Sequence, residues 1–536
     1  MKLPRIITAL FIAILCYTEA FAAKNVLYDD THGQTAENAD WIITGAYSDM
    51  ADMLEENGFR LTNLSEVSQT KKFTKTILDQ YDAIILAEPN DPYSDEECKF
   101  FQEYVKNGGG IFIIGDHGNA DRNKNGWDAV RAFNEFCPTF GFKFKGDIIY
   151  EAPIAGTANT KHPAMFGFRG VGVWAGSSFD ILDEKLATGL INSRKSKAPY
   201  MVASEYGNGR VFAIGDSSPF DDGVGSGEAK KLHDSYDSFM YSHPQIAYNA
   251  MMWVTGQNPD KRIPSRKVAF YNEAKANDKA INILIDAAHG NASSDKMKTF
   301  ERHMKDNGLK VFYTQNLISK KTLQNFGTFI IPDTSFKYFE NESEAISEWV
   351  NNGGNLIMGC SWDSSSLRGT KTLNSILSKI GSETRFNDDQ IHDPTNKTNK
   401  PWGVIAHEFK GGHELVEGVQ SVICWGSCSL VNKKGEALKE NRNIEIIIKG
   451  DEDTFNKDGD KKVPAYIYEP GSGIPIMAIE KANKGRLILI GCCNFTDYQY
   501  PDSDINMAQP GPPPFKHDTA KFYDNLMLML AGKKTN

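Results

Sequence analysis

After residue 22, no apolar run in the 536-residue chain reaches the ~18 residues that a membrane-spanning helix needs. Positive charge is also short. Lys and Arg number 59 against 69 Asp and Glu, a formal net charge of -10, which argues against nucleic acid or an anionic membrane surface as a partner. Cysteine is sparse. Setting Cys16 of the N-terminal segment aside from the eight leaves seven, an odd number and too few for a disulfide-built scaffold. Cys424-x-x-x-Cys428 with Cys492-Cys493 lacks the repeated pair spacing of a zinc site. These residues fall in apolar runs, so they are expected as small core residues. No Walker lysine follows Gly223-Val-Gly225-Ser-Gly227, which excludes a phosphate cradle there.

What is present begins with an export signal. Lys2 and Arg5 precede the apolar residues 6–16, and Ala20-Phe21-Ala22 supplies a small-x-small cleavage site. Residues 1–23 are therefore expected to be removed, and the mature protein to be periplasmic or extracellular.

The rest of the chain shows one design twice. Asn25-Val-Leu-Tyr-Asp-Asp-Thr-His32-Gly33 reads as a strand ending in acid, hydroxyl and imidazole, followed by a helix over residues 41–57 and Gly58. A second buried strand covers 81–88. Ser94, with Glu97 three residues on, opens a capped helix. A third strand, Ile111-Phe-Ile-Ile114, breaks into Gly115-Asp116-His117. From residue 280 the order recurs: Ile281 to His289-Gly290, a helix closed by Asn307-Gly308, a strand ending at Asp333, then Asn352-Gly-Gly-Asn-Leu-Ile-Met-Gly359. Later, Trp174-Ala-Gly-Ser-Ser is answered by Trp425-Gly-Ser-Cys-Ser, and Gly209-Arg-Val-Phe-Ala-Ile-Gly-Asp216 by Gly485-Arg-Leu-Ile-Leu-Ile-Gly-Cys492. We expect an α/β fold of two tandem doubly wound, flavodoxin-like domains, residues 24–256 and 279–536, joined by a linker at 257–278. On this alignment Cys360-Ser361 stands for Asp116-His117, and Cys492 for Asp216.

This order of strand–His-Gly, helix–Asn-Gly, strand, helix–Asn-Gly-Gly–strand and Gly-Arg-hydrophobic-Gly-Asp resembles the class I glutamine amidotransferase-like superfamily. Within it, the chain is most similar to the branch shared by gliding-motility transporter accessory, intraflagellar-transport and trehalose-utilisation-type proteins. The resemblance implies the fold and a binding or scaffolding role. A working amidotransferase presents Cys on a Gly-x-Cys-x-Gly elbow, and none occurs here; Gly359-Cys360-Ser361 lacks the second glycine. Glutaminase chemistry is not expected.

Two constellations could carry function. Asp121-Arg-Asn123-Lys-Asn125-Gly-Trp127-Asp128 opens like a calcium loop, with oxygen ligands on alternate residues, a turn glycine and the Trp127 carbonyl. Position twelve of such a loop is Ala132 rather than an acid. The bland alternative is an Asx-rich turn capping the next helix. Elsewhere, Asp30 and His32, Glu88, Asp116 and His117, then Asp216, Asp221 and Asp222 follow strands that should all point to one edge. With Trp127 and Trp174 nearby, that edge could bind a carbohydrate or a protein partner. Alternatively, Asp30, His32, Asp116, His117 and Asp216 could hold a divalent metal ion and hydrolyse a substrate. Asp451-Glu-Asp453 and Asp458-Gly-Asp460 read as a solvated hairpin turn.

Overall fold

The computed structural model describes residues 23–152, 154, 156–226, 233–266, 268–334, 336–362, 368–398, 400–458, 468–496 and 517–533. Residues 1–22 of the expected export signal, Gly227, residues 459–460 and the proline-rich 510–514 lie outside these. The chain forms two compact units, residues 1–236 with 242–264, and 237–241 with 265–536. Among the described residues no helix is long and apolar enough to cross a membrane.

The first unit is built from β1 (Lys24–Tyr28), α1 (Ser48–Glu56), β2 (Phe59–Asn63), β3 (Ala83–Ala87), α2 (Asp95–Lys106), β4 (Gly110–Ile114), α3 (Ala129–Asn134), β5 (Ala187–Asn192), β6 (Pro199–Tyr206), β7 (Gly209–Ile214) and α4 (His243–Val254). Its sheet runs β2-β1-β3-β4-β7-β6-β5. The first five strands are mutually parallel; β6 runs antiparallel to β7, and β5 antiparallel to β6. Alternate residues serve opposite faces. Val26, Ile85, Phe112 and Phe212 pack with Met251 of α4, whereas Leu27, Ile84, Ile111 and Val211 pack with Phe101 and Val105 of α2. Each such side chain contributes about 1.5–3 kcal/mol by leaving water, so β3 and β4 are apolar throughout because both faces are covered. The Ser94–Glu97 capping box forms as expected. The helix expected over 41–57 begins only at Ser48. Gly45 lies inside that run, and a Cβ there would stand 2.6 Å from the Asp40 carboxylate, so residues 41–47 fold as turns.

The second unit comprises β8 (Asn282–Asp286), α5 (Lys298–Asp306), β9 (Lys310–Thr314), β10 (Thr328–Pro332), α6 (Glu340–Asn351), β11 (Asn355–Gly359), α7 (Arg368–Ile380), β12 (Glu408–Phe409), β13 (Ile444–Lys449), β14 (Pro475–Ala482), β15 (Gly485–Ile490) and α8 (Thr519–Leu530). Its sheet, β9-β8-β10-β11-β15-β14-β13-β12, has the same order and adds one edge strand.

Register corrects the alignment of the two copies by one residue. Gly110 pairs with Arg210, as Asn355 pairs with Arg486. A Cβ on Gly109 would enter the Tyr104 ring at 2.3 Å, and one on Gly354 the Trp349 ring at 2.4 Å. Hence Cys360 stands at the place of Gly115, Ser361 at that of Asp116 and Trp362 at that of His117. Cys492 keeps the place of Asp216.

Candidate functional site

Because β1, β3, β4 and β7 are parallel, their exits share one edge of the first sheet. Glu88 leaves β3 with φ +32°, and its counterpart Asp333 leaves β10 with φ +63°. A left-handed conformation without glycine is a form of strain that collects at functional positions. β4 leaves through Gly115-Asp116-His117 into a loop that reaches α3 only at Ala129. The exit is therefore a loop and not a sharp strand-to-helix elbow.

Arg122 organises this edge. Its Nε donates to Glu88 Oε1 at 2.8 Å and its Nη2 to Asp116 Oδ2 at 2.8 Å. Nη1 donates to Asn38 Oδ1 at 3.1 Å, and the guanidinium lies 4.4 Å from the centre of the Trp41 ring. Glu88 and Asp116 are both buried. Burial first, then repulsion from and contact with Glu88, then Asp216, push the Asp116 carboxyl well above its ordinary range; Arg122 opposes this in part.

Asp116 and Arg122 open onto a cleft of about 160 Å³, lined also by Asn38, Trp41, His117, Trp174, Ser218, Asp221 and His233. Asp216 lies behind it, accepting from the backbone N–H of Trp174 at 2.6 Å and of Ser218 at 2.9 Å. Burial raises its pKa to about 7 against those two bonds. Asp221 accepts from the N–H groups of Gly223 and His233; burial, aided by Asp222 and Asp234, raises it to about 8. The Trp174 and His233 rings meet at 4.3 Å. Two indole surfaces, the Asp116 and Asp221 carboxyls and several donors and acceptors therefore converge on a small space.

The remaining expected residues are placed differently. Asp222 caps α1, accepting from Ser48 Oγ and the Asp49 N–H. Asp30 turns to Ser65, accepting from its N–H at 2.9 Å and from its hydroxyl. His32 is buried between Asp29 (Nδ1 at 2.9 Å) and Glu97 (Nε2 at 3.4 Å), against Tyr93 and Phe73. Burial disfavours its cation, but the two carboxylates prevail and raise its pKa to about 10. The same clamp recurs in the second unit, His289 bridging Asp286 at 2.8 Å and Glu342 at 3.1 Å. The His-Gly motif is thus a structural tie, and Asp30 and His32 are not part of the cleft lining.

In the 121–128 loop, Asp121 accepts from the N–H groups of Asn125 and Gly126, and Asn125 Oδ1 from that of Trp127. The amides of Asn123 and Asn125 both donate to the Asn90 carbonyl and to Asp91. Asp128 caps α3 through the Arg131 N–H and accepts from the Asn119 N–H. These are nested Asx turns; Trp127, half-buried, belongs to this loop and not to the cleft lining. In the second unit, Asp393, Asp451 and Asp453 bring ligand oxygens within 4.8 Å of one another. All seven cysteines from Cys98 onward are buried.

Sequence reasoning missed Arg122, Asn38 and Trp41. Arg122 was hidden inside the calcium-like motif, although an arginine among so many strand-end acids is the feature that could have drawn notice.

Known proteins resemble parts of this chain. The family model described as ThuA, trehalose utilisation, matches residues 32–216. The mmIFT52 N-terminal domain is 16% identical with a TM-score of 0.35, covering 46% of this chain and 97% of its own. A cytoplasmic protein from Salmonella typhimurium is 16% identical with a TM-score of 0.30, covering 43% and 98%. A ThuA-like protein from Bacteroides uniformis is 13% identical with a TM-score of 0.28, covering 47% and 90%. No curated protein sequence matches the chain. Residues 32–216 carry a ThuA-type domain of the class I glutamine amidotransferase-like fold.

Proposed function

We propose that the protein is an exported, non-amidotransferase binding protein whose first unit takes a carbohydrate in the Trp41–Trp174 cleft. The observation that carries this reading is the lining itself. Indole faces pack against the C–H faces of a sugar ring, and fixed polar groups select hydroxyl positions. Asp116, Asp221, Asn38 and Ser218 supply both donors and acceptors around the two indoles. A space of about 160 Å³ suits one sugar ring better than a segment of a protein partner. The ThuA match adds a link to trehalose utilisation. Export rests on the N-terminal segment.

Calcium belongs to this proposal as the ion that stabilises the 121–128 loop, through Asp121, Asn123, Asn125, the Trp127 carbonyl and Asp128. A metal-assisted hydrolase is less favoured. Two of its five residues, Asp30 and His32, are engaged away from the cleft. Arg122 already supplies the positive charge between Glu88 and Asp116.

Calorimetric titration of the mature protein with trehalose and with glucose tests the reading. Saturable binding of either sugar, weakened in Trp174→Ala, is expected; no heat from either at millimolar sugar would remove the carbohydrate reading. Metal analysis together with melting in calcium and in chelator tests the loop. A lower Tm in chelator is expected, and an unchanged Tm with no bound metal would discard calcium.

A further inference from the structure

The second unit holds five buried cysteines, Cys360, Cys424, Cys428, Cys492 and Cys493, and two of them face each other across a backbone pairing. Ser361 and Ser427 form an antiparallel bridge, and the Trp362 N–H donates to the Gly426 carbonyl at 2.9 Å. One step back along the first segment and one step on along the second, Cys360 stands opposite Cys428. Opposed residues of an antiparallel pair turn their side chains to the same face, with Cα atoms about 4.5–5.5 Å apart. That lies inside the span of roughly 4.4–6.8 Å that a disulfide bridges.

Both residues are anchored to the exit of β15. The Cys360 N–H donates to the Ile490 carbonyl at 3.0 Å and the Cys428 N–H to the Gly491 carbonyl at 2.7 Å. Cys428 Sγ lies 3.5 Å from the Cys360 carbonyl oxygen, and both residues are free thiols in this structure. The first unit shows which residues occupy these places otherwise. There Gly115 donates to Ile214 at 2.9 Å and Ser177 to Gly215 at 2.7 Å, so a glycine and a serine stand where the second unit has two cysteines. A cysteine that merely filled space would not need its partner to change as well.

We propose that Cys360 and Cys428 are a cross-strand disulfide pair that ties the exit of β11 to the segment beginning at Val422. The Cys428 thiolate attacks an external disulfide, forming a mixed disulfide and releasing one thiolate. The Cys360 thiolate then attacks the Cys428 sulfur and releases the second. The protein loses two hydrogens, and the external disulfide is reduced to two thiols. An oxidising compartment supplies oxidants of that class. Closing the loop between the two residues restricts the unfolded chain and stabilises this unit.

The full chain, reduced and unfolded, is refolded with oxidised and reduced glutathione, alkylated, and digested without reductant. Peptide mass analysis should find the Cys360 and Cys428 peptides joined and lighter by two hydrogens. The refolded protein should melt at a higher temperature than the same sample treated with dithiothreitol, and Cys428→Ser should abolish that difference. Recovery of both cysteines alkylated, or joined only to other partners such as Cys424 or Cys492, would overturn the proposal. The wild-type peptide map decides this even where the variant fails to fold.

Discussion

Arg122 is wedged between Glu88 and Asp116, its guanidinium 2.8 Å from a carboxylate oxygen of each. Both acids are buried, whereas the Arg122 side chain is 19% exposed. Removing the arginine leaves two acidic side chains in low dielectric without their shared partner, a cost of about 3 kcal/mol by analogy with broken buried pairs. Arg122→Met should therefore lower the urea unfolding free energy by roughly that amount, and Arg122→Lys should restore little, because an ammonium cannot form the fork to two acids. A loss below about 1 kcal/mol, the value of an exposed pair, would show that water already screens this contact.

Trp174 contributes to the cleft through its indole and to Asp216 through its backbone N–H, 2.6 Å away. Trp174→Ala removes only the first contribution. Sugar affinity should fall tenfold or more, about 1.4 kcal/mol, while far-ultraviolet circular dichroism stays unchanged. Unaltered affinity would place the sugar away from this ring.

The fold was legible because its signals are local and periodic. Short apolar strands, Asn-Gly helix ends and the Ser94–Glu97 cap each follow from neighbours a few residues apart, and their repetition revealed the second copy. The site was legible only in part. Asp116, His117, Trp174 and Asp221 do meet in one cleft. Asp30 and His32 leave β1 at the same edge of the sheet, but a strand exit fixes an edge and not the direction of a side chain. Asp30 found Ser65 and His32 found Glu97, contacts 35 and 65 residues away in sequence. Arg122 finds Glu88 across 34 residues, which no spacing rule encodes. The one-residue slip between the copies arose because Gly115 and Gly359 look equivalent as letters, whereas only the ladder shows that Gly115 corresponds to Cys360.

Asp128 separates two accounts of the 121–128 loop. As an N-cap that also holds the Asn119 N–H, it should contribute about 1 kcal/mol whatever the metal. As a calcium ligand, it should contribute only when calcium is present. Melting of Asp128→Ala beside the parent, in chelator and in calcium, distinguishes them. We expect a deficit in both conditions that is larger in calcium; a deficit equal in the two would leave the cap alone.

The buried imidazolium of His32 makes the stability of its loop depend on pH in a direction that can be worked out. Its pKa rises from 6.5 to about 10 in the fold, so the folded state binds the extra proton. The stabilisation is complete below about 6.5 and disappears as pH climbs through about 10. Glu97 behaves in the opposite sense. Burial opposes its charge, but His32 and the Ser94 cap outweigh this and lower its pKa from 4.5 to about 2. Its share is present above 4.5 and is lost as pH falls toward 2. The clamp is therefore strongest between about pH 4.5 and 6.5. Hydrogen exchange at Thr31 and His32, corrected for intrinsic rates, should be slower in the parent than in His32→Gln at pH 6, with the difference gone above pH 10. The clamp around His289 in the second unit is the internal control, since its exchange should not respond to His32→Gln. A His32 effect that persisted undiminished above pH 10 would mean that packing against Tyr93 and Phe73, and not the charge, holds this loop.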